Sequence, residues 1–355
     1  MARHADPSTA QAVAALEDVQ AGGGLYVAFA VLREAREGRT RNDDPFIDIS
    51  VGDLSANIGG KIWPDQREAQ ASVRQLACGT PVKVLFHAEE YRDTLQLRVV
   101  KIREARADDD GFDPSALFGE GHELVSDLLC QHIAFDIETV PAVDRRSLPS
   151  TVAESLARAA ERKDSDEAKV MGLSPFFGKV VALAVGDAEA EDPEVTVFVV
   201  PKDGQQIDDP PPWMRPVTEQ QLLQAWWALA DHADTVISYN GRGFDVPFLV
   251  SRSLIHGIPA RVDLMSNRYS LRPHLDLYRA ISQGERPLGP ANLDVVCWAL
   301  DIDSPKEQMD GSMVAPAYER GEIEEIARYN ALDVQATIEV YRKLRDGVLR
   351  FRKDW

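Results

Sequence analysis

A chain of 355 residues is longer than one hydrophobic core usually serves, so two domains are expected. With 44% hydrophobic and 27% charged residues, the composition is that of an ordinary globular protein rather than a disordered or fibrous one. A formal charge of -19 argues against a polyanionic partner, yet the acidity is concentrated: Glu104–Asp127 carries eight acids against Arg106 alone, whereas Leu25–Arg103 holds twelve Lys and Arg against eleven Asp and Glu.

Residues 1–22 are Ala-rich, end in Ala21-Gly22-Gly23-Gly24, and read as a flexible lead-in. Strands are predicted over 25–32, 45–51, 57–63, 81–88 and 94–103, with a helical segment near 65–78. Five strands with a helix after the third is the order of a small all-β Greek-key barrel of the OB type, here over residues 23–104. Alternation turns Ile47, Ile49, Val51, Ile58 and Ile62 inward and leaves Phe46, Asp48, Ser50, Lys61 and Trp63 outside. The predicted loop 34–44 adds Arg36, Arg39 and Arg41. Such a face, with aromatic and basic residues, suits single-stranded nucleic acid. Equally, Trp63 caps the barrel and the arginines are solvated beside Glu34, Glu37, Asp43 and Asp44; Asp48 is an awkward neighbour for phosphate. The PFIDISVGD and GGKIW words at 45–53 and 59–63 resemble OB modules found beside anticodon-binding domains and at the front of some bacterial 3'-to-5' exoribonucleases. That resemblance implies a nucleic-acid grip, with a protein-docking role as the other reading.

Residues 105–123 combine acids with Gly111, Pro114, Gly119 and Gly121 and read as an acidic linker. From 124 to 355 strands and helices alternate, an α/β pattern. The first strand carries Phe135-Asp136-Ile137-Glu138-Thr139. Side chains two apart on a strand share a face, so Asp136 and Glu138 project together, and their repulsion is relieved by protonation or by a hard divalent cation. Strands are predicted at 179–186 and 194–200, joined as a hairpin. A helix from Thr218 follows, whose Trp226 and Trp227 read as core. Next, Tyr239-Asn240-Gly241-Arg242-Gly243-Phe244-Asp245 runs from a strand into a helix, and Asp245 is either a helix cap or a ligand. In the last long helix, predicted over 322–345, Tyr329 and Asp333 are four apart and share a face. His132 reads as packed rather than as a ligand.

These three motifs, in this order, resemble the DEDD superfamily of 3'-to-5' exonucleases in its tyrosine branch. The words Ser174-Pro175-Phe176-Phe177-Gly178-Lys179-Val180-Val181, His274-Leu275-Asp276-Leu277 and Met309-Asp310-Gly311 look closest to stand-alone relatives of the proofreading exonuclease domain of family B DNA polymerases. The histidine branch places His five residues before the last Asp, where this chain has Arg328; Tyr329 holds the tyrosine position. The resemblance implies an RNase H-like fold and hydrolysis of single-stranded DNA or RNA from a free 3' end. It also implies two divalent cations, Mg²⁺ or Mn²⁺, about 4 Å apart. By the same resemblance Asp136 bridges the metals, Glu138 and Asp333 complete one, and Asp245 holds the other. Tyr329 orients the attacking water, and Asn240 and Phe244 position the terminal nucleotide. The alternative is an inactive nucleic-acid-binding adaptor, or a nuclease brought to a protein partner by its barrel. Cys78, Cys130 and Cys297, odd in number and widely spaced, argue against disulfides or structural zinc. MARHADPSTA has no apolar core of a signal and no apolar run is of spanning length, so a cytoplasmic setting without membrane contact is expected.

Overall fold

The computed structural model describes residues 10–266, 270–282, 290–303, 309–352 and 355, and divides the chain into two compact units, Met1–Ser126 and Asp127–Trp355. In the first, β1 (Gln11–Ala12), β2 (Leu25–Arg39), β3 (Pro45–Gly52), β4 (Asn57–Ile62), α1 (Arg67–Val73), β5 (Pro81–Tyr91) and β6 (Thr94–Glu104) precede the short α2 (Pro114–Phe118). The strand order is β1-β2-β3-β4-β6-β5, and β5 returns to β2, so five strands close into the OB barrel. Among the described residues of this unit, only β4–β6 and the short β1–β2 pair run parallel. Register places Ile47 opposite Ile62 and Val51 opposite Ile58, and all four are buried in the barrel core with Ile49. Helix α1 closes one end: Ala69 and Val73 join the core, and the buried Gln70 amide donates to the carbonyls of Pro45, Ile62 and Trp63.

Three stretches differ from expectation. The predicted 34–44 loop is mostly strand, because Glu34 to Arg39 pair with Ser50 to Pro45 and only residues 40–44 turn. Glu34 to Glu37 are exposed whichever way their side chains point, so no period-two apolar signal marks this part of the strand. The lead-in is ordered from β1: Leu16 and Val19 are buried, and Asp53 accepts the Leu16 amide at 2.7 Å. The acidic stretch lies against the barrel rather than free of it: Asp109 takes the Arg103 guanidinium and the Arg106 amide, and Phe112 packs on Phe29 at 5.2 Å.

The second unit is built on β7 (His132–Pro141), followed by α3 (Ser150–Arg162) and α4 (Glu167–Gly172), whose Leu156, Ala160, Val170 and Met171 form a small cluster of their own. Then come β8 (Gly178–Asp187), β9 (Val195–Val199), β10 (Met214–Pro216), α5 (Glu219–His232), β11 (Thr235–Ser238), α6 (Asp245–His256), β12 (His274–Asp276), α7 (Leu277–Ser282), α8 (Leu293–Leu300), α9 (Val314–Arg320) and α10 (Ile323–Gly347). The sheet order is β10-β9-β8-β7-β11-β12, with β7-β8-β9 antiparallel and β7-β11-β12 parallel, the RNase H-like arrangement. Helix α5 starts on a capping box of Thr218 and Gln221. Trp226 and Trp227 are fully buried, as expected; the Trp226 ring lies 4.1 Å from Phe135 and the Trp227 indole donates to Ser253. Helix α10 packs on β7, β8 and β9, and the turn after Tyr329 reaches β7 through the bond from Asn330 to Asp136. Among the described residues no helix is long and apolar enough to cross a membrane.

Candidate active site

Strand β7 supplies Asp136 and Glu138 on one face, and α10 supplies Asp333 and Tyr329 one turn apart. One carboxylate oxygen from each of Asp136, Glu138 and Asp333 lies within 4.8 Å of the others. Among the described residues no Lys or Arg pairs with Asp136 or Glu138; the donor that reaches Asp136 is the Asn330 amide, 2.8 Å from Oδ2. Burial, then the charges of Asp245, Asp333 and Glu138, raise the Asp136 pKa well above the usual carboxylate range. Burial and the Asp333 and Asp245 charges do the same to Glu138. A half-buried group of carboxylates that oppose one another's ionisation is a fitting oxygen donor set for a divalent cation.

Asp245 stands at the start of α6 and is buried, but its oxygens are not in that three-residue group. Nor is it the cap of α6. The cap position is Phe244, without a side-chain bond, and Asp245 Oδ1 instead accepts the Ile137 amide of β7 at 3.2 Å. Burial is the main cause of its pKa being pushed up to about 7. Tyr329 is buried, and its hydroxyl is hydrogen-bonded to Asp333; burial and then the Asp333, Glu138 and Asp136 charges raise its pKa.

The loop between β11 and α6 is held from β12. Asp276 accepts the backbone amides of Asn240 and Arg242, each at 3.1 Å, and the Arg242 guanidinium donates to the carbonyls of Ser270 and His274. Exposed Asn240 adopts a left-handed φ of 62°. Gly241 answers to close approach: a Cβ there would lie 2.3 Å from Ser238 Oγ. Phe244, half-buried, packs on Phe248 at 5.6 Å. Asn330 and Asp276 carry no assignment in the sequence reading. Their signal was a polar residue on an otherwise apolar helix face and an acid at the end of a buried strand.

On the barrel, the Trp63 and Phe46 rings lie 5.7 Å apart, tilted by 34°, and the Lys61 ammonium sits 4.6 Å from the Phe46 ring while pairing with Asp48. Cross-strand register puts Arg36, Asp48 and Lys61 in one row. Arg36 pairs with Glu34 at 3.2 Å and Arg39 with Asp43 at 3.0 Å; Arg41 is exposed in the turn.

Fold and site together define an RNase H-like domain with an acidic centre, accompanied by an OB barrel. Residues 175–351 match a family model described as "Predicted 3'-5' exonuclease related to the exonuclease domain of PolB", and the C-terminal unit is similar to that family over this range. Part of the chain is 29% identical over 139 residues to a DNA polymerase of Desulfurococcus sp. (strain Tok), covering 35% of this chain and 18% of that protein. A DNA polymerase of Pyrococcus glycovorans is 31% identical over 124 residues, covering 31% of this chain and 16% of that protein. The chain thus spans less than a fifth of these relatives. The structure of the family B DNA polymerase from Pyrobaculum calidifontis aligns over 89% of this chain and 46% of that one, at 15% identity and a TM-score of 0.42.

Proposed function

We propose that this protein is a metal-dependent 3'-to-5' exonuclease that hydrolyses single-stranded DNA, with the OB barrel gripping the strand. The observation that carries the reading is the convergence of Asp136 and Glu138 from β7 with Asp333 from α10, oxygens within 4.8 Å. DNA is favoured because the similar proteins are DNA polymerases.

Asp136, Glu138 and Asp333, with Asp245 beside them, would hold divalent cations, which when bound would supply charge neutralisation to the phosphodiester and lower the pKa of a bound water. The protein's own groups do the rest. Tyr329, its pKa raised, keeps its proton and acts as a hydrogen-bond donor that orients the reacting groups, not as a base. The loop fixed by Asp276 presents the exposed Asn240 side chain and the Phe244 ring to the terminal nucleotide. In the barrel, Trp63, Phe46 and Lys61 offer stacking faces and a cation to the strand. Three cysteines that form no disulfide suit a reducing, cytoplasmic setting.

The test is degradation of 3'-labelled DNA and matched RNA oligomers in Mg²⁺ or Mn²⁺. Losing a ligand that contributes about 4 kcal/mol to the transition state slows the reaction about a thousand-fold, which is the loss expected for Asp136→Ala with its fold retained. Chelation should abolish cleavage and added metal restore it. An Asp136→Ala protein as fast as the parent would end the nuclease reading; faster cleavage of the RNA would end the preference for DNA.

A further inference from the structure

Asn330 is fully buried on α10, on the face it shares with the equally buried Ile326, Ala327 and Val334. An apolar side chain would satisfy that position, and an amide there carries a desolvation cost unless its polar atoms find partners. Only half of this amide does. Nδ2 donates to Asp136 Oδ2 at 2.8 Å, while Oδ1 is buried without a hydrogen-bond partner. The carboxylate that binds a cation is ionised and can only accept, so this is the orientation that form of the pair requires. The amide is therefore kept at the site for the one bond it makes, across 194 positions of sequence, to a member of the acidic group.

We infer that Asn330 is a positioning residue: its amide fixes the Asp136 carboxylate in the orientation in which Asp136, Glu138 and Asp333 bind a divalent cation together. A carboxylate on a strand can turn about two side-chain bonds. Committing Oδ2 to a donor on α10 fixes the plane of the group and hence the place of Oδ1. The donor is also of the right charge. An Arg or Lys at this position would neutralise Asp136 and compete with the cation, whereas a neutral amide orients the carboxylate and leaves its charge available. Its location adds a coupling, because Asn330 sits between Tyr329 and Asp333 on the same two turns. The helix that delivers one carboxylate thus aligns another on the strand opposite.

This inference rests on the reading of the acidic group as a metal site, and the experiment separates the two. The metal-free protein, prepared by chelation, is titrated with Mn²⁺ in a calorimeter, alongside Asn330→Leu, which keeps the branched shape and removes the donor. Asn330→Ser is taken in parallel in case leucine does not fit. Partners of metal ligands typically set affinity within a factor of about 10 to 100, so the Mn²⁺ dissociation constant should rise by that factor in either variant. Exonuclease rate should fall at limiting Mn²⁺ and recover at saturating Mn²⁺; a residue that served packing alone would lower the rate at every metal concentration. A parent that takes up no Mn²⁺ overturns the metal reading and this inference with it. A parent that binds Mn²⁺ no more tightly than the folded variants overturns the inference alone.

Discussion

Tyr329 shows how one side chain's environment decides its chemistry. A phenol in water ionises near pH 10, and here burial and three neighbouring carboxylates all oppose ionisation. Its use is therefore as a donor, and a hydrogen bond to a charged group is worth about 1.5–3 kcal/mol, or about ten- to a hundred-fold in rate. Tyr329→Phe should lose that factor in the single-turnover cleavage rate while binding a 3'-ended strand as tightly as the parent. A loss confined to strand affinity would show that the hydroxyl contacts the ground-state substrate instead. Asp245 makes a related point: it begins a helix as a capping acid would, yet its oxygen is spent on the Ile137 amide of the central strand. The partner it reaches rules out the helix cap.

At the scale of elements, the parallel β7-β11-β12 edge is what positions the 239–244 loop. His274 on β12 is fully buried between Ser238 Oγ, 2.8 Å from Nε2, and the Leu264 carbonyl, 3.2 Å from Nδ1. A carbonyl only accepts, so Nδ1 carries the proton, Nε2 accepts from Ser238, and the ring is neutral. Burial, followed by the Arg242 charge, pushes its pKa down to about 3, against an ordinary 6.5. Its unfolded form therefore binds the proton first as pH falls. The stability tied to the neutral ring is complete above about pH 6.5 and is lost progressively towards pH 3, at up to about 1.36 kcal/mol per pH unit. The carboxylates of raised pKa act in the opposite sense, so the difference between proteins is the informative quantity. Urea unfolding between pH 7 and 5 should show stability falling less steeply for His274→Asn than for the parent; parallel slopes would mean the imidazole titrates freely.

At the scale of the molecule, two units with separate cores divide the work. The barrel core is Ile47, Ile49, Val51 and their neighbours; the sheet core gathers β7, β8 and β9 under α10. Activity on a short oligomer should survive removal of 1–126, because Asp136, Glu138, Asp245, Tyr329 and Asp333 all lie in the second unit. Affinity for a longer strand, measured by anisotropy in EDTA, should weaken, with the salt slope falling by about 0.7 for each phosphate that the barrel had neutralised. Unchanged affinity and slope would assign the barrel to a protein partner, a role to which the acid-paired Arg36 and Arg39 are equally open.

Local periodicity settled a good deal without coordinates. Ile47, Ile49 and Val51 alternate because one face of their strand is buried, Asp136 and Glu138 share a face because strands repeat every two residues, and Tyr329 and Asp333 meet because helices repeat every 3.6. The ordered motifs, and the absence of a histidine at Arg328, came from the same linear text. Tertiary structure alone decided that residues 34–39 continue a strand, that the three-residue β10 and β12 complete the sheet, and that the acidic stretch after the barrel packs on it through Phe112. It alone joined Asn330 to Asp136 and Asp276 to the Asn240 loop. The reason is physical: a periodic pattern records which face of an element is dry, whereas a single hydrogen bond between residues far apart in the chain leaves no periodicity behind it and exists only once the elements have packed.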